Sequence, residues 1–332
     1  MSSSMLAAVV NTYGPPENVQ VREVPQPVPR RGQVLVSIAA SAVTSADSRV
    51  RAARFPPGVG CLARLALGIS GPRQKILGSC FSGTVESVGA GVDSFAPGDD
   101  VCGMMGTRFG AHAQFITIDA SNVVAKPLEV NHEDAAGVLF GGTTAMYFLT
   151  DLRASKTVLK PGATILINGA SGAVGTNAVQ IAAQMGATVT GVTSTRNVEL
   201  VRRLGAANVI DHTAEDILSS EARYDIVFDT VGNLPVAAAR RLLTDDGVLL
   251  LAVAGLSNMV CPPARTFTGE APERPEDFRS LLDRVANGTL EVVQDRSFPL
   301  EDVAQAHAHV DGGHKVGNVV LTFRGALPFH AN

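Results

Sequence analysis

Residues 163–175 constrain this chain more than any other stretch. Ala163-Thr-Ile-Leu-Ile167 is a continuous apolar run of strand length that follows a Pro161-Gly162 turn. It leads directly into Asn168-Gly-Ala-Ser-Gly-Ala-Val-Gly175. Val174, Ala178, Ile181 and Met185 then recur at helical spacing until Gly186 closes the helix. Gly169, Gly172 and Gly175 stand at G-x-x-G-x-x-G spacing. Such a loop permits a tight turn and a close backbone approach to a pyrophosphate, with helix N-terminal N–H groups facing the anion. Glycine-rich βα turns also occur for purely structural reasons, so the loop reads as a dinucleotide cradle or as a bare turn.

The pattern continues on both sides. Downstream, Thr188–Val192 (strand), Arg196–Leu204 (helix) and Asn208–Ile210 (strand) are followed by Tyr224–Phe228 (strand), Val236–Leu243 (helix) and Gly247–Val253 (strand). Phe278–Asn287 predicts a further helix, and Asn318–Phe323 returns to strand. Strands alternating with helices of this length predict a parallel sheet covered on both faces. Upstream the texture differs. Val34–Ile38 and Val85–Val88 are short β-rich runs bounded by Pro and Gly, Pro25–Pro29 is an extended linker, and Ala96–Asp100 is a turn feeding Val101. Arg51–Lys75 is less regular, with Leu62–Leu67 as one or two helical turns.

Composition removes several classes. A chain of 332 residues has room for roughly two domains. With 45% hydrophobic and 17% charged residues it can build a core, which excludes wholesale disorder. A net charge of −4 without a basic block lacks the footprint of a nucleic-acid binder. No apolar run reaches membrane-spanning length, and Met1–Val10 has no basic region ahead of its apolar stretch, so neither membrane insertion nor secretion is expected. Cys61, Cys80, Cys102 and Cys261 match no disulfide or metal spacing and read as reduced thiols of a cytoplasmic protein. Ser171 is not in a G-x-S-x-G elbow, because residue 173 is Ala, and no P-loop or H-E-x-x-H occurs.

The end of the second strand separates two dinucleotides. An NAD site wants a carboxylate there for the ribose 2′-hydroxyl. This chain has Thr193-Ser194-Thr195-Arg196, whose hydroxyls and guanidinium suit a 2′-phosphate. Arg196 can equally be a solvated residue at a helix start.

With these residues in hand, the chain resembles the zinc-independent medium-chain dehydrogenases/reductases of the quinone-oxidoreductase (zeta-crystallin-like) type. The resemblance rests on Ala7–Gly14, Gly78-x4-Gly83-Thr-Val-Glu-Ser-Val-Gly89, Gly98-Asp99-Asp100-Val101, Gly141-Gly-Thr-Thr-Ala145, Asn168–Gly175, Tyr224–Gly232 and Lys315-Val-Gly-Asn-Val-Val320. It covers nearly the whole chain. It implies an α/β fold: a Rossmann doubly wound parallel sheet at 126–297 plus a GroES-like β-barrel domain at 1–125, rejoined by 298–332.

Carried over residue by residue, the resemblance implies that Gly169, Ser171, Gly172, Ala173, Val174 and Gly175 hold the pyrophosphate, with Thr144, Val231 and Asn318 also at the cofactor. It places Ser194, Thr195 and Arg196 at the 2′-phosphate of NADPH (NADP+). The family's Lys at that phosphate is Val198 here, with Arg196 two residues earlier, and a family Tyr is His212, which accompanies the phosphate or caps the strand end. In the first catalytic loop, Thr44 takes the family's Asn position and Arg49 its Tyr position. Both are candidates to hydrogen-bond a substrate carbonyl, although Arg49 can instead pair with Asp47.

Zinc-dependent members of the family place a Cys in the first cleft loop and a His in a Gly-His-Glu motif. This chain has Val43-Thr44-Ser45-Ala46-Asp47 and Gly78-Ser79-Cys80, and it has no lobe of four clustered Cys. Neutral hydroxyls are poor zinc ligands, so no metal is expected. His307 and His309 would point apart on a helix, and His314 lies in a Gly-rich turn. Without a Lewis acid, a conjugated C=C or a quinone is the easier hydride acceptor. The resemblance thus implies an NADPH-dependent, metal-free oxidoreductase for small electrophiles, working as a homodimer that pairs the strand at Gly247–Ala254. An alcohol or aldehyde dehydrogenase working without zinc, or a non-catalytic NADPH-binding protein, are the alternatives.

Overall fold

A computed structural model of the chain describes residues 3–150 and 159–323; the outer ends of the ranges 1–125 and 298–332 lie outside them. The described residues form two sheets with a shared core, plus a two-stranded antiparallel ribbon of Ser4–Val10 and Val19–Pro25.

The first sheet is six-stranded and parallel, in the order Asn208–Asp211, Thr188–Thr193, Thr164–Asn168, Tyr224–Asp229, Leu243–Leu251, Thr266–Thr268. In sequence terms this is 3-2-1-4-5-6, so the order reverses beside the Thr164–Asn168 strand. In such sheets the crevice outside the carboxyl ends of the strands at the reversal is where ligands bind. The glycine loop leaves that same strand end and opens the Ala173–Gln184 helix. Ile165, Leu166, Ile167, Val227 and Phe228 are buried on both faces, which explains why these strands read as unbroken apolar runs.

The second sheet runs Gln294–Pro299, Asn318–Thr322, Gln33–Ala42, Cys80–Val88, Asp100–Met104, Val123–Ala125, with Phe115–Asp119 also pairing to Gln33–Ala42. Gln294–Pro299 belongs to this sheet as well, with Arg296–Pro299 pairing parallel to Val319–Thr322. A long helix, His132–Thr150, joins the halves, packing on Gln33–Ala42 and Cys80–Val88 on one side and on the Ala173–Gln184 helix on the other. One apolar cluster runs through the seam, from Cys80, Cys102, Met104 and Val124 to Ile165, Ala178 and Phe228.

Three local readings change. The first catalytic loop is a helix, Ser45–Ala52, whereas the helical turns expected at Leu62–Leu67 are present as the helix Gly60–Leu67. The fifth parallel strand starts at Leu243, where a helix was expected to end. Its outer edge is not free: Leu249–Leu251 pair with Thr266–Thr268, so the strand expected to join two protomers lies inside the sheet.

Candidate active site

The nucleotide side of the crevice is built mostly of backbone. Gly169 has φ +81° and packs so tightly that a Cβ there would stand 2.4 Å from Val231 Cγ2. A Cβ on Gly175 would stand 2.1 Å from the Gly169 carbonyl oxygen, so only glycine lets the helix start this close to the strand. Gly172 caps the Ala173–Gln184 helix without a side-chain hydrogen bond, which leaves the first-turn N–H groups open to an anion. Asn168 donates to Asp229 Oδ1 (2.9 Å) and Asn233 Oδ1 (2.8 Å), pinning the first strand to the fourth at the reversal. The return segment closes the floor, since Gly317 N donates to the Ser171 carbonyl at 2.8 Å.

The second strand ends in a polar cluster. Ser171 Oγ accepts from Thr193 Oγ1 (2.8 Å) and from Asn197 Nδ2 (3.1 Å), and the same amide reaches Ser194 Oγ at 3.3 Å. Arg196 is exposed and donates to the His314 carbonyl at 2.5 Å, so its guanidinium lies between the strand end and the return segment. Thr195 turns away, donating to Asp211 Oδ2 at 2.6 Å, and Thr213 also donates to Asp211. His212 is exposed and its backbone N–H pairs with the Thr193 carbonyl at 3.0 Å. Lys315 donates to the Gly317 carbonyl at 2.5 Å, and burial, only partly offset by Asp295, lowers its ammonium to about 8.

The other expected cofactor residues divide. Thr144 is in the middle of the His132–Thr150 helix, with its hydroxyl donating to the Phe140 carbonyl at 2.7 Å. Gly141, one turn earlier on that face, lies against the Ala173 carbonyl, which places Thr144 near the glycine loop. Val231 is half exposed above Gly169. Asn318 is buried and donates to the Val293 carbonyl at 3.0 Å, so its amide anchors the return strand.

The barrel side is built of buried side chains. Thr44 caps the Ser45–Ala52 helix: its hydroxyl and amide donate to Asp47 Oδ2 at 2.6 and 2.8 Å, and Asp47 N returns a bond at 3.2 Å. Asp47 Oδ1 accepts from Gly78 N at 3.0 Å, tying this helix to the Gly78-Ser79-Cys80 loop. These groups, not the Arg49 guanidinium, hold Asp47. Arg49 is half-buried, and burial together with Arg54 lowers its pKa. Arg51 is fully buried and pairs with Asp311 and the Gly14 carbonyl. Next to this cluster, His112 bonds the Ala42 carbonyl at 3.1 Å and meets His307 edge to face, with ring centroids 5.7 Å apart.

A metal does not fit here. Cys80 is fully buried, and burial pushes its thiol far up, away from the thiolate a metal needs. Its neighbour in the loop is Ser79, and among the described residues no three of His, Cys, Asp or Glu stand together as a ligand set.

Comparison with known proteins agrees with this architecture. The alcohol dehydrogenase GroES-like domain matches residues 30–128, and a domain described as zinc-binding dehydrogenase matches residues 204–321. The chain is 28% identical to a 2-haloacrylate reductase from a Burkholderia species, over 96% of this chain and 98% of that one. It is 27% identical to the NADPH-dependent alkenal/one oxidoreductase of Arabidopsis thaliana chloroplasts, over 96% of this chain and 79% of that one. The solved quinone oxidoreductase of Coxiella burnetii superposes with a TM-score of 0.86 at 26% identity, covering 97% of this chain and all of that one. The chain belongs to the medium-chain dehydrogenase/reductase family, in its quinone-oxidoreductase (zeta-crystallin-like) group, which are nicotinamide-dependent oxidoreductases. No helix among the described residues is long and apolar enough to cross a membrane.

Sequence reasoning missed Asn197, Asp211 and Lys315. The Thr44-x-x-Asp47 spacing is a helix-start signal that was available. Asn197 lies three residues after Ser194, within reach of a strand-end turn.

Proposed function

We propose that the protein is an NADPH-dependent, metal-free reductase that transfers hydride to a quinone or to the activated C=C of an enone or enal. The observation that carries the cofactor choice is the strand-end cluster. Arg196 follows Ser194 and precedes Asn197, whose amide bonds Ser171 and Ser194, and the carboxylate at the end of the neighbouring strand, Asp211, is already taken by Thr195 and Thr213. A ribose-binding carboxylate would repel the 2′-phosphate; a guanidinium and neutral donors attract it. The substrate class draws support from the relatives, whose names describe reduction of haloacrylates, of alkenals and alkenones, and of quinones.

A reduced nicotinamide supplies the hydride. The chain's own residues bind and orient it: the glycine loop takes the pyrophosphate, Ser194, Arg196 and Asn197 take the 2′-phosphate, and Thr144 flanks the reacting end. Catalysis is then mostly positioning between the two halves, with Thr44 serving Asp47 and the helix start rather than the substrate. Arg49 is the remaining side chain of the first loop for a substrate oxygen. The test is oxidation of NADPH and of NADH by the purified protein with an ortho-quinone, a 2-alkenal and a simple aldehyde. The reading expects NADPH consumption with the first two and little with the aldehyde. Preference for NADH, or turnover of the aldehyde alone, would overturn it.

A further inference from the structure

One ionisable group at the cleft has no part in cofactor binding. Glu273 belongs to the segment that leads into the Pro275–Ala286 helix of the nucleotide-binding half. Its carboxyl nevertheless rests on the barrel half: a Cβ on Gly106 would stand 3.1 and 3.3 Å from its two oxygens. Gly106 follows Met105, whose N–H donates to the Ser79 carbonyl at 2.7 Å. The carboxyl therefore crosses from the nucleotide-binding half to the barrel half near the Ser79-Cys80 loop, and the buried Cys80 thiol feels both the Glu273 and the Asp47 charge. Among the charged groups near Glu273, Glu270 on its own segment raises the carboxyl and Arg108 beyond Gly106 lowers it, and Arg108 is partly committed to Asp119 at 3.7 Å. Glu273 is open to solvent on its outer side, and desolvation where the carboxyl rests on the barrel half, together with Glu270, outweighs Arg108 and pushes it up to about 7. A carboxylic acid that keeps its proton near neutrality can donate one, which suits a site with no metal to polarise a carbonyl.

We propose that Glu273 is the proton donor of the reaction, hydrogen-bonding the substrate's carbonyl oxygen and protonating it as hydride arrives. The proposal rests on the reading of the protein as a reductase of carbonyl-conjugated electrophiles. A reduced nicotinamide dinucleotide delivers hydride, with both electrons, to the β-carbon of an enone. The C=C π bond breaks and its electron pair moves toward the carbonyl oxygen. The Glu273 O–H bond breaks as a new O–H bond forms there, giving an enol that ketonises in water. Oxidised dinucleotide and a Glu273 carboxylate remain, and solvent at the exposed rim returns the proton.

The experiment compares wild type, Glu273→Gln and Glu270→Gln by pH profiles of kcat/KM with a 2-alkenal. Wild type should lose activity as pH rises above about 7, tenfold per unit. Glu273→Gln should be about 100-fold slower at low pH and lack this limb, with cofactor affinity unchanged. Glu270→Gln should keep the low-pH rate and move the limb to lower pH, because a neighbouring negative charge is gone. A Glu273→Gln enzyme with the wild-type rate and limb overturns the proposal. If neither NADPH nor NADH supports turnover of any quinone or enone by wild type, the functional reading fails instead. Glu273 is then tested through binding of a saturated cyclic ketone to wild type and Glu273→Gln. Affinity that falls above about pH 7 in wild type alone keeps its role as carbonyl anchor; affinity that is independent of pH and of the substitution removes it.

Discussion

The two walls of this cleft are made by opposite means. On the nucleotide side, Gly169, Gly172 and Gly175 shape backbone, and the groups we propose for binding are main-chain N–H groups and the side chains at the second strand's end, with Arg196 exposed. On the barrel side, Asp47, Arg51, His112 and His307 are fully buried and meet partners far away in sequence. A backbone-built wall depends on a few positions that admit only glycine and tolerates exchange of its exposed groups. A wall of interlocked buried polar groups fails when any partner is removed, because the remaining group stays buried and unsatisfied. The two walls should therefore respond to mutation on different scales: stability on the barrel side, ligand choice on the nucleotide side.

The largest effect should come from Asp311→Ala. Asp311 lies at the end of the Val303–Asp311 helix and neutralises Arg51, whose side chain has no solvent exposure, and it also receives Ser48 Oγ and the exposed Arg54. Arg51 additionally holds the Gly14 carbonyl, so it cannot swing out to water without breaking that turn. Leaving a buried guanidinium without its carboxylate costs about 3–5 kcal/mol. Urea denaturation reads this directly. A loss below about 0.5 kcal/mol, the size of an ordinary surface change, would break the contrast between the walls.

Next in size is the pH response of the two buried histidines. Among the described residues, neither ring nitrogen of His307 has a hydrogen-bond partner, and Nδ1 of His112 has none. Burial lowers both pKa values, aided at His307 by His112 and Arg51 and opposed at His112 by Asp47. An unfolded histidine titrates near 6.5, so above that pH both states are neutral and nothing is lost. Below it the unfolded chain takes up protons that the native state refuses. Stability then falls with falling pH by about 1.4 kcal/mol per unit for each histidine, until the depressed native values are reached. His307→Leu should remove one histidine's share of this slope between about pH 6.5 and 5. An unchanged slope would mean that His307 is protonated in the native protein.

How much of this was legible follows the same division. Ile165–Ile167, Asn168–Gly175 and the alternation after them gave the doubly wound sheet, because buried parallel strands and glycine turns leave local signatures. The His132–Thr150 helix went unassigned for a physical reason: it is packed between the two halves, with buried residues all round, and so shows no apolar stripe. The first catalytic loop concealed a helix although its Thr44–Asp47 cap was in plain view. Thr266–Thr268, three residues beyond a run of prolines, covers the strand that resembled a free edge. Arg196 with His314 and Glu273 with Gly106 join segments more than a hundred residues apart, and no local pattern records such contacts.

The smaller effects belong to the nucleotide wall and should leave stability alone. Charge-assisted hydrogen bonds contribute about 1.5–3 kcal/mol each, so Arg196→Ala should weaken NADPH by about 10- to 150-fold while NADH changes little. Ser194→Ala removes one neutral donor from the same cluster, with Asn197 and Ser171 left to reorganise around the gap. A neutral hydrogen bond contributes about 0.5–1.5 kcal/mol, which is a loss of about two- to tenfold for NADPH and none for NADH. Isothermal titration of both dinucleotides against both variants, with urea midpoints alongside, separates the walls. If Arg196→Ala weakens both dinucleotides equally and shifts the urea midpoint, its bond to the His314 carbonyl is its role. Arg196 then belongs with the interlocked groups, and Ser194 with Asn197 remains to read the phosphate. If only NADPH weakens, and Ser194→Ala follows in the same direction at the smaller size, the exposed cluster is a reader of charge resting on a backbone that does not need it.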